Sequence, residues 1–264
     1  MPAAGIPKPS ARAILRGNGG SSRGASISSV ADLPTRFGPF QVVAFHTPGH
    51  EGEHAALIKG DVRRRSDVPV RLHSECLTGD VFGSLRCDCR EQLELSLEEI
   101  QRRPRGILLY LRQEGRGIGF ENKIRAYRLQ ELGFDTIEAN EALGFRPDER
   151  DYEVAARMLE LLGVRSIVLM SNNPRKIADL QRHGIRVTGR IPIVVRPNRF
   201  NRRYLETKRL RAGHLLGPGP SVAPVEQLDC LTCETPSRPG VRSRSATAEG
   251  PTRSGGTRGR HRSR

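Results

Sequence analysis

The stretch Gly106 to Gly119, GILLYLRQEGRGIG, decides how the chain is read. It opens with GILLYLR, an apolar run of strand length. A short continuous apolar run bounded by turn residues marks a strand buried on both faces. QEGRGIG follows at once, a glycine-rich loop in which backbone can come close to a phosphate. Such loops after strands are common, so the loop alone is a weak signal. Helical spacing resumes over 121–132.

The same alternation extends outward. Towards the N-terminus, FQVVAF (Phe40 to Phe45) and AALIKG (Ala55 to Gly60) read as strands joined by the turn-rich HTPGHEGEH, and VRLH (Val70 to His73) as a third. Residues 88–102 have helical spacing, with Leu93, Leu97 and Ile100 on one face. Towards the C-terminus, 149–162 carries the stripe Ala155, Met158, Leu159 and Leu162, and IVLM (Ile167 to Met170) is another strand. NNP then opens a short helix with Pro174 at its first position, and IRVTGRIPIVV is extended chain. Strands in series followed by strand–helix alternation predict an α/β fold, a mixed sheet with helices packed on it. One globular domain is expected over 34–216. Residues 1–33 and 217–264 are rich in Gly, Ser and Pro, lack periodicity, and read as disordered extensions.

Only 36% of the 264 residues are hydrophobic, as expected for a packed core with unpacked ends. The net charge is +15. Residues 1–30 carry four basic groups and no acid, and 217–264 carry eight arginines against four acids, which leaves about +7 for the middle. That excess suits an anionic small molecule such as a nucleotide. No apolar run fits a secretory signal or a membrane span, so a reducing, cytoplasmic setting is expected, with an organelle transit peptide in 1–30 as the minor alternative. The Arg/Ser/Gly tail has no aromatic residue for base stacking, so any nucleic-acid contact is expected to be weak and non-specific.

In a reducing setting, closely spaced cysteines point to metal or catalysis. HSECLTGDVFGSLRCDC holds Cys76, Cys87 and Cys89 in the spacing C-x10-C-x-C. Three thiolates supply three of zinc's four tetrahedral positions and leave one open for water, the arrangement of a catalytic site. Cys87 and Cys89 fall near the start of the predicted helix, where thiolate is favoured. The competing readings are three small core residues, or a structural site with His73 as fourth ligand. Cys230 and Cys233 form half a zinc site in the tail and read as incidental, with a separate metal site or redox pair as the alternative.

The chain resembles GTP cyclohydrolase II of riboflavin biosynthesis, in the monofunctional form. The matching segments are RLHSECLTGD (Arg71 to Asp80), SLRCDC (Ser84 to Cys89), YLRQEGRGIG (Tyr110 to Gly119), NKIRAYRLQ (Asn122 to Gln130), DTIEANEALGF (Asp135 to Phe145), DERDY (Asp148 to Tyr152), SNNPRK (Ser171 to Lys176), and the closing YLETK and GHLL. The resemblance implies conversion of GTP to a diaminopyrimidine ribosylamine phosphate, formate and diphosphate. It places zinc on Cys76, Cys87 and Cys89, proton transfer on Asp148, action at the α-phosphate on Arg150, and a catalytic tyrosine at Tyr127. GTP contacts are implied for Arg71, Leu72, His73, Ser74, Glu75, Gln92, Glu114, Gly115, Arg116, Thr136, Ser171 and Lys176. Ser171 stands where the family commonly has threonine, with the hydroxyl retained. Magnesium with the triphosphate and a homodimer are further implications. The family's covalent role for the arginine conflicts with a guanidinium pKa above about 12, so an electrostatic role for Arg150 is expected. A sibling enzyme that stops at the formylated intermediate is the near alternative.

Overall fold

The computed structural model describes residues 25–48 and 53–211. Among them, seven strands form one sheet: β1 (Ser26–Thr35), β2 (Gly38–His46), β3 (His54–Lys59), β4 (Val68–Ser74), β5 (Gly106–Leu111), β6 (Ile167–Met170) and β7 (Val187–Ile191). Their order is β1-β2-β3-β5-β4-β6-β7. β1, β2, β3 and β5 pair antiparallel in turn, whereas β4 runs parallel to both β5 and β6, and β6 parallel to β7. The helices are α1 (Cys89–Gln101), α2 (Gly119–Glu131), α3 (Thr136–Ala142), α4 (Glu153–Leu162), α5 (Pro174–Arg182) and α6 (Arg202–Arg211).

β5 is buried on both faces, as its apolar run implies. Ile107, Leu109 and Leu111 join Val70 and Leu72 of β4 and Ala155, Met158, Leu159 and Leu162 of α4 in the larger core. Leu108 points the other way, into a smaller core with Leu97 and Ile100 of α1, Met170 and Ile191. Burying each such side chain contributes ~1.5–3 kcal/mol, so the apolar stripes of α1 and α4 fix those helices to opposite faces. From β4 the chain crosses through α1 to β5 on one side. From β5 it crosses to β6 on the other side. The loops after β4, β5 and β6 therefore meet at one end of the sheet, where ligands bind in open α/β sheets.

Three expectations need correction. Residues 26–33, read as disordered, belong to β1, which pairs with β2 from Ser26↔His46 to Thr35↔Gly38. The helix expected over 149–162 begins at Glu153, so Asp148 and Arg150 lie on the loop before it. α3 and α6 were not anticipated. α3 starts at a capping box in which Asp135 accepts from the Ile137 and Glu138 amides and Glu138 returns to the Asp135 amide. α6 carries polar residues along most of its length. The disorder expected over 1–24 and 217–264, with Cys230 and Cys233, lies outside the described residues.

Candidate active site and metal centre

Beyond Ser74 the chain enters a π-helical turn, Leu77–Val81, closed by the Phe82 amide on the Leu77 carbonyl (3.2 Å) and flanked by the Asp80 amide on the Cys76 carbonyl (2.7 Å) and the Ser84 amide on the Thr78 carbonyl (2.8 Å). Cys87 follows, and Cys89 is the first residue of α1. The three sulfurs lie within 4.8 Å of one another, with Cys76 Sγ 3.7 Å from Cys87 Sγ. Tetrahedral bonds of about 2.3 Å to a shared zinc set neighbouring sulfurs about 3.8 Å apart. The donor set also fits chemically. Hydrogen bonds from Cys87 and then Cys89 pull the Cys76 thiol far below its ordinary value, while hydrogen bonding to Cys76, with burial and the sulfur charges adding to it, pushes Cys87 up to about 12 and Cys89 up as well. Three thiolates here need a cation between them.

Gly79 keeps this space open. A Cβ there would lie 2.8 Å from Cys87 Sγ and 3.2 Å from Cys76 Sγ. Gly79→Ala is expected to weaken metal retention by about ten- to a hundredfold, the effect of ~1–3 kcal/mol of overpacking. Metal analysis of the purified variant after dialysis against a graded chelator series checks this. Retention equal to wild type would show that the sulfurs move aside freely.

His73 is outside the sulfur group. Its Nε2 lies 3.0 and 3.1 Å from the Asp80 oxygens, and Asp80 also accepts from Tyr110 OH (2.9 Å) and from the Cys76 amide (3.0 Å). His73 and Asp80 thus brace the cysteine turn, and the reading of His73 as a metal ligand is set aside. Glu114 braces it from the other side: one oxygen accepts from the Leu77 amide (2.6 Å) and the other from Lys123 Nζ (2.8 Å). Lys123 Nζ is also 3.1 Å from Cys76 Sγ.

The sulfurs form part of a cavity of about 320 Å³, whose lining side chains include eight cations against three carboxylates. Arg71 donates to the Met170 carbonyl (3.0 Å) and to Gln92 Oε1 (2.5 Å). Lys176, third residue of α5, donates to the Leu72 carbonyl (2.9 Å). Burial, then the nearby Arg71 and Arg150 charges, push Lys176 well below its ordinary value. Arg150 makes a two-pronged pair with Asp148 (2.8 and 2.6 Å). Burial opposes ionisation of Asp148, but the hydrogen bonds and charge of Arg150 outweigh it and hold the carboxyl below its usual range. Gly115, Arg116 and Gly117 have φ of 62°, 63° and 94°. Arg116 is thus held in a left-handed conformation that costs a non-glycine residue energy, and its carbonyl accepts from the Glu149 amide (3.0 Å). Gly117 approaches Glu149 so closely that a Cβ would meet it at 3.0 Å. The loop after β5 is thereby tied to the segment bearing Asp148 and Arg150.

Of the residues singled out from sequence, Leu72 alone does not line the cavity. Its side chain is fully buried in the larger core, and only its carbonyl reaches the site, through Lys176. Glu75 lines the cavity with its carboxylate held by Arg112 Nε (2.9 Å). Ser171 lies buried at the turn into α5, its Oγ accepting from the Asn173 amide (3.0 Å). Ser74, Thr136 and Tyr127 face the cavity. Sequence reasoning missed Lys123, Asp80, Asp88 and Lys208. All four lie in segments that carry the family resemblance, and Lys123 also stands one helical turn before Tyr127.

Comparisons with known proteins agree with this arrangement. The family model described as GTP cyclohydrolase II matches residues 26–192. The chain is 54% identical over 187 residues to the GTP cyclohydrolase-2 of Picrophilus torridus, a match covering 71% of this chain and 97% of that protein. It is 53% identical over 188 residues to the GTP cyclohydrolase-2 of Haemophilus influenzae, covering 70% and 87%. Against the riboflavin biosynthesis protein RibBA of Endomicrobium trichonymphae the identity is 52% over 185 residues, covering 70% of this chain and 46% of that longer protein. With the match spanning most of the sheet and every cysteine of the cluster, the chain belongs to the GTP cyclohydrolase II family, hydrolases of riboflavin biosynthesis.

Proposed function

We propose that the protein hydrolyses GTP to formate, diphosphate and a diaminopyrimidine ribosylamine phosphate, with zinc on Cys76, Cys87 and Cys89. The observation that carries this reading is one cavity lined both by a three-thiol cluster and by two buried cations, Arg71 and Lys176, whose hydrogen bonds go to carbonyl and amide oxygens and not to carboxylates. Lys176 is the clearest case: its ammonium is bonded to a carbonyl, between two arginines, and a phosphate there restores its charge. Its place in the first turn of α5 adds the helix N-terminus to that anion site.

Zinc held by Cys76, Cys87 and Cys89 would supply Lewis acidity at the guanine end of the substrate. The chain's own residues do the rest. Arg71 and Gln92 orient the substrate, Arg116 and Lys176 hold phosphate oxygens, and Tyr127 handles a proton near the sulfurs. Asp148 fixes Arg150 in its two-pronged pair. Burial works against the Arg150 charge, and the nearby Tyr152 oxygen and Asp148 carboxylate outweigh it, so the guanidinium stays protonated. A protonated guanidinium has no lone pair to attack phosphorus, and Arg150 acts by stabilising charge as diphosphate leaves. Magnesium accompanies the triphosphate.

Further parts of the reading concern context. No helix among the described residues is long and apolar enough to cross a membrane, and a thiol cluster suits the reducing cytoplasm. A homodimer is supported by exposed apolar side chains on the cysteine loop (Val81, Phe82, Leu85) and on α2 (Phe120, Ile124). The catalytic unit runs from β1 to α6, which moves its start from residue 34 back to Ser26.

The test is direct. Purified protein incubated with GTP, zinc and magnesium is expected to yield formate and diphosphate in equal amounts, with a diaminopyrimidine product identified by mass. GTP recovered intact, or cleaved only to GMP, overturns the assignment.

A further inference from the structure

We infer that Lys208, on α6 in the closing YLETK segment, is a positioning residue that sets Gln92 and Arg71 for substrate through Asp88. The inference rests on the GTP-binding reading of the cavity.

α6 is seated against the site. Asn198 and Asn201 exchange amide-to-side-chain hydrogen bonds (2.8 and 2.9 Å) at the start of the helix, and Asn201 and Leu205 are buried. One turn on from Tyr204, the buried Lys208 places Nζ 4.3 Å from the Tyr204 ring centroid and 2.7 Å from Asp88 Oδ1.

Asp88 is the unusual partner. It occupies the N-cap position of α1, where an aspartate ordinarily accepts from the helix's first amides, yet its side chain caps nothing. Its oxygens go instead to Lys208 and to Gln92 Nε2 (2.5 Å). This fixes the Gln92 amide. A carboxylate only accepts, so the amide nitrogen faces Asp88, and the amide oxygen is turned to Arg71, which only donates (2.5 Å). Arg71 in turn is anchored on the Met170 carbonyl of β6. Four side chains from α6, the cysteine loop, α1 and β4 thus form one directed line that ends in the cavity.

Lys208 holds the first link. Asp88 is 2% exposed, and without the ammonium it is a buried carboxylate with a single amide partner. The amides at the start of α1 then compete for it, and Gln92 loses the acceptor that orients it. Lys208 also lines the cavity, but its ammonium is bonded to Asp88 rather than to a sulfur, so its removal is expected to act on substrate binding, and the double variant separates an effect through Gln92 from direct contact.

The experiment measures KM and kcat for formate release, with the GTP dissociation constant by equilibrium dialysis, for wild type, Lys208→Met, Lys208→Arg, Gln92→Ala and Lys208→Met/Gln92→Ala. Lys208→Met is expected to raise KM and the dissociation constant by about ten- to a hundredfold, as loss of a charge-assisted hydrogen bond does, with kcat within about threefold. Lys208→Arg restores most of the affinity. In the Gln92→Ala background, Lys208→Met adds less than about twofold, because the line is already cut. Unchanged affinity in Lys208→Met, a fall in kcat at constant KM, or effects that multiply in the double variant overturn the inference while the GTP reading stands. A wild-type protein that neither binds nor converts GTP removes that reading, and the inference falls with it.

Discussion

Cys87→Ser is expected to abolish formate production from GTP, by at least about three orders of magnitude, because it removes the several kcal/mol that a metal contributes to such a reaction. Serine is close in size, so the turn from Leu77 to Cys89 has no steric reason to refold. What changes is the donor: an alcohol at neutral pH is a far poorer zinc ligand than a thiolate. Cys87 lies 3.7 Å from Cys76 and within 4.8 Å of Cys89, so its loss leaves two thiols, fewer than a stable zinc site uses. Zinc is expected to fall from about one per chain to near zero, read by elemental analysis. Diphosphate release is expected to persist slowly with GMP as product, since Arg150 and Lys176 are held by Asp148 and the Leu72 carbonyl, independently of sulfur. Undiminished formate from zinc-free Cys87→Ser protein would sink the zinc assignment.

Tyr127→Phe is expected to lower formate production by about two orders of magnitude or more, the usual worth of a positioned proton-transfer group. The phenol oxygen lies 3.3 Å from Thr78 Oγ1, which is itself 3.6 Å from Cys76 Sγ. Burial pushes the phenol up to about 12, against the opposing pull of Lys123. At neutral pH it is therefore a hydroxyl that can both donate and accept. The ring has separate work: Arg86 and Lys123 sit over it at 5.0 and 5.7 Å. Phenylalanine keeps that ring and removes only the oxygen. Zinc content and melting temperature are expected to match wild type, with GTP affinity within about fivefold. A formylated pyrimidine is expected to accumulate, detected by mass, because breakdown of the C8 adduct is the step that needs the proton. Formate at close to the wild-type rate would leave Tyr127 as a packing residue.

Much of the fold was legible because burial on both faces leaves a compositional mark. GILLYL and IVLM, short apolar runs bounded by turn residues, read as buried strands, and β5 and β6 occupy those positions. The stripe on α4 located one helix face against the larger core. β1 left no such mark. Its apolar residues Ile27, Val30 and Leu33 are sparse, and most of the strand is exposed. It is held by backbone pairing to β2, and backbone hydrogen bonds are the same for every sequence. α6 was hidden for the related reason that a mostly polar helix has little periodic signal.

The sequence alone pointed to the cysteines as a metal site, with three thiols within 14 positions, and the fold brings their sulfurs within 4.8 Å of one another. The helix start at Pro174, which places Lys176 in its first turn, was likewise a local matter of capping and proline geometry. The tertiary structure decided which neighbours in a motif face the cavity. β4 is buried on both sides, and its VRLH alternates apolar Val70 and Leu72 with polar Arg71 and His73; its pairing with β5 and β6 sends the apolar pair to the core and the polar pair to the cavity end, so Leu72 reaches the site by its carbonyl alone. It also decided the partners of the charges. Asp88 and Lys208 are 120 residues apart, and an ion pair across that distance has no periodicity or spacing to announce it. It exists because the sheet end gathers loops from β4, β5 and β6 in one place, and a buried charge there must find whichever opposite charge the fold brings within reach.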